Sequence, residues 1–219
     1  MFNLCYNLTS VSIPRNVSDV NFTSVFNNCY HLLSITVPDN ITLYNPGFFS
    51  SCVSITKIVI PDSVTSVSSN FYGCHNLEKI ITNKTNLEFS SSSAFSQCYN
   101  LKNIPFSITM TNSSSTTKIG SLFYNMFSLI SIPTWSKSVG NTTQWGNYVY
   151  GYCYRIKTAY IPSTITDLGS YTFSSCYCLE SITLPSNITV LGSNCFNNCY
   201  SLTSITIPNT VTSLGSQCF

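Results

Sequence analysis

Cysteine is the residue type with the most capacity for chemistry in this chain of 219 residues, which holds eleven of them. Thiolates bind metals, form disulfides and act as nucleophiles. Eight cysteines recur at comparable spacings, at Cys5, Cys29, Cys52, Cys74, Cys98, Cys153, Cys176 and Cys199. The remaining three, Cys178, Cys195 and Cys218, lie outside this series. Buried thiols, disulfides and a metal site are the three interpretations to be weighed.

A metal site would have to be built around Cys176, Cys178 and Cys199, whose sulfurs can meet if neighbouring repeats stack. A tetrahedral site needs a fourth ligand, which Cys-x-x-Cys pairs or nearby histidines usually supply. Neither occurs beside these cysteines. We therefore expect no metal and no cofactor.

His31 and His75 are the candidates for a general base, and each lies between a repeated Cys and the Leu that follows it. Neither has a carboxylate or a nucleophile at a defined spacing, and the chain has no Gly-rich phosphate loop. A variable turn residue is the simpler interpretation of both. The sequence predicts a protein that is not an enzyme.

The cysteines belong to a longer repeated phrase, F-x-x-C-x-x-L-x-x-I-x-I-P. Its aromatic residue recurs at Phe2, Phe26, Phe49, Phe71, Phe95, Phe123, Tyr150, Phe173, Phe196 and Phe219, with spacings of 24, 23, 22, 24, 28, 27, 23, 23 and 23 residues. A fixed period in the low twenties is typical of a solenoid of stacked coils. One coil cannot bury its apolar side chains alone, but stacked coils cover each other.

Each repeat contains two alternating apolar stretches. Leu202, Ile205 and Ile207 illustrate the first, which predicts a short strand of a parallel sheet that ends at a proline. Val211, Leu214 and Gly215 illustrate the second, which predicts another short strand followed by a tight turn. The segment that holds Phe and Cys three residues apart predicts a short helical turn.

Stacking in register decides between disulfides and free thiols. Equivalent Cβ atoms of stacked coils lie ~4.8 Å apart with parallel directions, whereas a disulfide prefers ~3.8 Å. Met126 occupies the cysteine position of one coil, which indicates that the position must be apolar. We expect buried free thiols that pack as small hydrophobic residues. The redox states of Cys178, Cys195 and Cys218 are left open.

The unit L-x-x-I-x-I-P-x-x-V-T-x-L-G-x-x-x-F-x-x-C-x-x-L resembles the BspA-like (Treponema pallidum-type) leucine-rich repeat. The resemblance implies a right-handed leucine-rich-repeat solenoid and a surface antigen with an adhesive or protein-binding role, on the cell surface or secreted. It also implies a protist source such as Trichomonas or Entamoeba, and no catalytic residues. We expect a single domain over residues 1–219 with about nine coils of ~23 residues. Longer, irregular coils are expected at 101–150, and the whole is expected to be a fragment of a longer chain.

Composition excludes two classes of partner. Charged residues make up only 7% of the chain and the net charge is +2, without a basic stripe. Nucleic-acid binding and binding to an anionic membrane are therefore not expected. No apolar run approaches the ~20 residues of a membrane-spanning helix, and the N-terminus lacks the features of a signal peptide.

Three outward-facing regions are candidates for binding a protein or a glycan. The first is the sheet face, with Lys57, Lys79, Lys102, Lys157 and Tyr160. The second is the residue after the repeated cysteine, with Tyr99, Tyr154 and Tyr177. The third is the loop 134–149, which holds Trp135 and Trp145. Each also has a purely structural interpretation: solubilising charge, stacking over the turn, and packing of the loop on its own coil.

Eight Asn-x-Ser/Thr sequons permit N-glycosylation in a secreted protein without demonstrating it, at Asn7, Asn16, Asn21, Asn40, Asn83, Asn112, Asn141 and Asn187.

The favoured hypothesis is a surface adhesion or protein-binding module. A structural spacer, or a coat that assembles end to end through the coils at Phe2 and Phe219, is the alternative. A third hypothesis, an ice- or glycan-binding array of threonines such as Thr203 and Thr206, is weak because charged side chains interrupt the array.

Overall fold

The computed structural model describes residues 2–17, 23–44, 46–67, 70–89, 92–110, 119–136 and 144–219. Over these ranges the chain forms a β-solenoid of about eight turns, spaced about 23 residues apart. The predicted solenoid fold is therefore confirmed. Its strands are β1 (Ser10–Ser12), β2 (Ser34–Thr36), β3 (Leu43–Tyr44), β4 (Lys57–Val59), β5 (Ser66–Val67), β6 (Lys79–Ile81), β7 (Asn86–Phe89), β8 (Ser107–Met110), β9 (Gln144–Trp145), β10 (Thr158–Tyr160), β11 (Asp167–Leu168), β12 (Ser181–Thr183), β13 (Val190–Leu191) and β14 (Ser213–Leu214).

The first apolar stretch of the repeat forms parallel two-stranded pieces, β1–β2, β4–β6 and β10–β12. The middle residue of each strand points inward and its neighbours point outward, as in β4, where only Ile58 is buried. No strand forms in this stretch at residues 101–105 and 129–133. These two repeats lack two of the strand residues, which is the irregularity expected there.

The second apolar stretch forms two longer parallel sheets, ordered β3-β5-β7-β8 and β9-β11-β13-β14. The register follows the repeat: Leu168 pairs with Trp145 on one side and with Leu191 on the other. The second side thus joins up to four successive coils in one sheet, whereas the first side joins them only in pairs.

A column of stacked aromatic rings fills the interior. From Phe2 to Phe219 the nine successive ring pairs have centroid distances of 4.9–6.4 Å and interplanar angles of 4–17°. The rings from Phe26 to Phe196 are almost completely buried, whereas Phe219 at the last coil is 54% exposed. In-register stacking of equivalent residues, on which the sequence interpretation depends, is therefore present.

The predicted helical turn is wrong, because the described residues contain no helix. The segment between Phe and Leu consists of two consecutive turns, such as Cys29 N to Phe26 O (3.1 Å) and Leu32 N to Cys29 O (3.1 Å). The residue two positions after the aromatic takes a left-handed conformation, with φ of 60° at Asn28. Its N–H then donates to the next coil, at Ser50 O (2.9 Å), instead of continuing a helix.

The glycine that follows the second strand is required for close stacking. A Cβ on Gly192 would lie 2.5 Å from the carbonyl carbon of Gly169 in the preceding coil. A Cβ on Gly169 would lie 2.3 Å from the carbonyl carbon of Gly146. The sequence predicted a glycine for a tight turn, and the structure adds that the neighbouring backbones leave no room for a side chain.

Candidate binding surfaces

Lys57 and Lys79 lie side by side on the outer face of the β4–β6 sheet. They are paired in register, so their Cα atoms face each other across one strand spacing of ~4.8 Å. Both side chains are exposed, and neither forms an ion pair with a described residue. Like charges directly opposite each other on a sheet are unfavourable, so this pair does not stabilise the fold.

Aliphatic and acidic groups border the two lysines. The next register pair, Val59 and Ile81, is 48% and 37% exposed. Asp39 and Asp62 line the same groove as Val59 and Ile81. The outer face of β4–β6 therefore runs from basic through apolar to acidic.

Lys102 continues the basic end into the next coil. It lines one groove with Lys79, Glu78 and Pro105. Lys57, Lys79 and Lys102, called the lysine column below, thus occupy three successive coils. The three side chains lie on the outer face of successive coils, where the strand alternation predicts them.

Lys157 and Tyr160, predicted on the same face, make contacts within the solenoid. Lys157 Nζ lies 3.2 Å from Glu180 Oε1 of the next coil. Tyr160 is exposed, but its hydroxyl accepts a hydrogen bond from Trp135 N (3.3 Å) and donates one to Pro133 O (3.4 Å). Tyr160 therefore joins β10 to the coil that lacks a first strand. Both residues are less available to a partner than the lysine column.

Tyr99, Tyr154 and Tyr177 belong to an outer stack of rings. The stack runs His75, Tyr99, Phe127, Tyr154, Tyr177 and Tyr200, with centroid distances of 4.4–5.3 Å and interplanar angles of 3–15°. Ring stacking over the turn, the structural alternative, is therefore present. Tyr177 and Tyr200 remain 37% and 76% exposed, so the stacking does not exclude binding.

The tryptophans of the loop 134–149 do not form the exposed surface that the sequence allowed. Trp145 is fully buried in β9 and packs against Tyr150 and Phe173, with ring centroids 5.5 and 6.3 Å apart. Trp135 is partly buried, and its Nε1–H donates to the Tyr150 hydroxyl (3.0 Å). The candidate role of Trp145 as a direct contact is wrong, because its side chain is fully buried, and Trp135 packs against the same core.

The repeated cysteines form a second interior column, and all eleven cysteines are free thiols. Seven of the eight repeated thiols donate a hydrogen bond of 3.0–3.3 Å to the backbone carbonyl of the aromatic residue in the preceding coil, as Cys98 Sγ does to Phe71 O. Burial raises the pKa of Cys74 and Cys176 well above that of an ordinary thiol. The cysteine position was interpreted as merely apolar, and its role as a donor was missed.

The three other cysteines differ among themselves. Cys178 is exposed. Cys195 and Cys218 are both buried. Burial raises the pKa of Cys195, and the interaction with the Cys195 thiol lowers the pKa of Cys218. Among the described residues, no group of three or more Cys, His, Asp or Glu side chains is arranged to hold a metal ion. Cys176, Cys178 and Cys199 are thus not brought together as a site.

The sequon asparagines within the described ranges are exposed, at Asn7, Asn16, Asn40, Asn83 and Asn187. Three of them donate Nδ2 to the preceding coil: Asn40 to Arg15 O (2.9 Å), Asn83 to Asp62 Oδ2 (3.2 Å) and Asn187 to Ser163 O (2.8 Å). Asn21, Asn112 and Asn141 lie outside the described residues.

Sequence reasoning missed a cluster of tyrosines on the turns of the irregular coils. Tyr148 stacks on Tyr171 (4.7 Å, 5°), and Tyr124 meets the rings of Tyr148 and Tyr152 at steep angles (72° and 88°). Tyr152 also contacts Tyr154 of the outer stack (6.3 Å, 67°). The tyrosine patch is defined here as Tyr124, Tyr148, Tyr152, Tyr154, Tyr171 and Tyr177. The frequency of tyrosine in residues 124–177 was the signal that could have revealed it.

A solenoid of parallel strands whose interior positions repeat and whose outer polar positions vary is typical of repeat proteins. The chain matches the family described as "BspA type Leucine rich repeat region", in 6 copies, over residues 1–117 and 110–219. The protein therefore belongs to the BspA-type leucine-rich-repeat family.

Three solved proteins of similar fold come from bacteria. A leucine-rich repeat protein from Bacteroides ovatus superposes with a TM-score of 0.65 at 21% identity, over 97% of this chain and 59% of that one. A leucine rich cell surface protein from Faecalibacterium prausnitzii has a TM-score of 0.56 at 23% identity, over 98% and 61%. A leucine-rich repeat protein from Eubacterium ventriosum has a TM-score of 0.51 at 22% identity, over 100% and 77%. The chain thus spans about three fifths of the first two neighbours.

Comparison with curated protein sequences finds no match. Among the described residues, no helix has the length and apolar character needed to cross a membrane.

Proposed function

We propose that the protein is a non-catalytic binding module of the cell surface whose β4–β6 face and lysine column contact a partner protein. Family membership and the surface location of one structural neighbour support a surface role. We propose more specifically that the partner is a host-cell or extracellular-matrix protein, to which this surface adheres. A protist source stays a prediction, since the solved neighbours named above are bacterial.

The observation that carries the proposal is the register pair of Lys57 and Lys79. Two exposed ammonium groups on adjacent strands repel each other in the free protein. Neither is compensated by an ion pair with a described residue. A bound carboxylate would remove this repulsion, so the pair is better suited to a complex than to the isolated solenoid.

The order of side chains on this face describes the partner. An acidic side chain would meet the lysine column, and an apolar side chain would cover Val59 and Ile81. Exposed charged contacts of this kind act mainly on the association rate and on specificity. Salt screens them, with a Debye length of ~8 Å at physiological ionic strength. Binding should therefore weaken as salt rises.

The test uses immobilised extracellular-matrix proteins and poly-L-glutamate as probes, with wild type, Lys79→Glu and Lys84→Glu compared by surface plasmon resonance. Lys84 lies in the loop between β6 and β7, so Lys84→Glu gives the same change in net charge away from the lysine column. We expect Lys79→Glu to lower the association rate at least tenfold, and Lys84→Glu to change it less than twofold. Equal effects of the two variants would show that net charge, and not the lysine column, drives binding.

A further inference from the structure

The tyrosine patch contains three residues whose backbone conformation is unfavourable for a large side chain. Tyr148, Tyr152 and Tyr171 have φ of 61°, 63° and 60°. Bulky residues rarely adopt this left-handed region, although the repeat uses it in almost every coil, so it is the tyrosine side chain that is unusual here.

Other coils fill the same two positions mostly with small or amide residues. At the position of Tyr148 and Tyr171 they have Ser24, Gly47, Ser93, Ser121, Asn194 and Gln217; at the position of Tyr152 they have Leu4, Asn28, Ser51, Gly73, Gln97, Asn125, Ser175 and Asn198. Stacking of the coils therefore does not require tyrosine at these positions.

A glycine makes room for the rings. A Cβ on Gly151 would lie 3.2 Å from Tyr148 Cδ1 and 3.4 Å from Tyr124 Cδ2. It would also lie 3.1 Å from Tyr171 O. A side chain at position 151 would therefore press against the rings of Tyr148 and Tyr124. With glycine there, the two rings pack next to the backbone of residue 151.

The patch is almost without charge. The turn segments 119–128, 146–155 and 169–178 contain no Asp, Glu or Lys, and Arg155 is their one charged residue. Their polar groups are hydroxyls and amides, including Asn125 and Asn147. Tyrosine hydroxyls are protonated at neutral pH and can donate hydrogen bonds to a ligand.

The patch leaves ring surface accessible to a ligand, since Tyr177 is 37% exposed and the other five tyrosines are partly exposed. Tyr171 stacks on Tyr148 through one face, and the next coil has Asn194 at the equivalent position. The second face of Tyr171 therefore meets no other ring of the described residues. Ring faces carry partial negative charge and attract weakly positive C–H groups.

We propose that the tyrosine patch binds a neutral carbohydrate chain. Sugar C–H groups would lie against the ring faces, and sugar hydroxyls would hydrogen-bond to tyrosine hydroxyls and asparagine amides. The near absence of charge fits a neutral glycan better than an acidic one. This surface differs from the lysine column in position and chemistry, so the proposal does not depend on the function proposed above.

Affinity electrophoresis in native gels tests the proposal, with yeast mannan, laminarin and galactomannan as neutral probes and with heparin and a polyproline peptide as alternatives. The binding variant is Y148S/Y152N/Y171N, which installs residues found at the same positions in other coils. Tyr30→Ser, in the outer tyrosine pair of the first coils, is the matched control. Thermal unfolding of each variant checks the fold.

At least one neutral polysaccharide should retard the wild type, and the triple variant should bind it at least tenfold more weakly. Tyr30→Ser and Lys79→Glu should bind like the wild type. Absence of retardation by all three neutral polysaccharides would overturn the proposal, and so would retardation that persists in a folded triple variant. Binding only to heparin would assign the surface to charged ligands, and binding only to polyproline would assign it to a protein; either result also overturns it.

Discussion

Tyr150 and Tyr152 lie two residues apart on the same coil and face opposite environments. Tyr150 occupies the interior aromatic column, is fully buried, and has its hydroxyl satisfied by Trp135. Tyr152 lies on the outer turn, partly exposed, in a left-handed backbone conformation and in contact with other tyrosines.

Inward and outward positions differ in the same way along the whole solenoid. Inward positions repeat with little variation, because each ring and each thiol must match the equivalent residue of the neighbouring coil. Outward positions vary from coil to coil. Two groups of outward residues are unfavourable for folding: the paired lysines of β4 and β6, and the tyrosines with positive φ. Stability should therefore respond strongly to inward changes and weakly, or with opposite sign, to outward ones.

Alkaline pH should give the largest effect, because it acts on the whole cysteine column. Burial raises the pKa of Cys199 to about 12 and that of Cys74 further, whereas thiols of the unfolded chain ionise near 9.0. The unfolded state then releases protons that the folded state retains, so stability is full below pH 9 and falls as pH rises above it. Between the pKa of a thiol in the unfolded chain and its raised pKa in the folded protein, each such thiol lowers the free energy of unfolding by about 1.4 kcal/mol per pH unit.

Urea unfolding at pH 7, 9, 10 and 11, followed by circular dichroism, measures this loss. Iodoacetamide at pH 8 is the control, because exposed Cys178 should be alkylated at least 100-fold faster than Cys74 in the folded protein. An unchanged urea midpoint between pH 7 and 11 would contradict the buried-thiol column.

The same substitution at Tyr150 and Tyr152 should have very different effects. Tyr150→Ser removes a buried ring and leaves Trp135 Nε1 without its partner, and we expect a loss of about 3–5 kcal/mol, as for large-to-small changes in a core. Tyr152→Ser installs the residue that Ser175 provides at the same position, and it should change stability by less than about 0.5 kcal/mol. Urea unfolding of both variants measures the difference, and comparable losses would show that the outer turn also carries the fold.

Inward positions were also those that the sequence predicted well. The spacing of Phe26, Phe49, Phe173 and Phe196 was sufficient to predict a continuous ring column, because a fixed period translates directly into stacking. The helical turn was wrong because the Phe-x-x-Cys spacing fits a helix and two successive turns equally well. Only the backbone at Asn28 and its equivalents, with positive φ, distinguishes them.

The outer surfaces were predicted only in part. The lysines could be placed on one face from the alternation of the strand, but the pairing of Lys157 with Glu180 depends on side-chain conformations. For the loop that holds Trp145 the sequence left binding and packing on its own coil as alternatives, and the burial of Trp145 supports packing. The tyrosine patch joins residues from three coils whose loops differ in length, so no single repeat position reveals it.

Lys79→Glu should give the smallest effect on stability and one of opposite sign. It replaces a like-charge register pair with Lys57 by an opposite-charge pair, and such cross-strand changes are worth about 0.2–1 kcal/mol. We therefore expect a small stabilisation at low salt that disappears in 1 M NaCl, where the Debye length is ~3 Å. Lys79→Gln removes the repulsion without adding attraction, so its stability should lie between those of the wild type and Lys79→Glu. Lys84→Glu should not be stabilised to a comparable extent. If Lys79→Glu lowers stability at low salt, the paired lysines support the fold, and their conflict with folding no longer argues for a binding role.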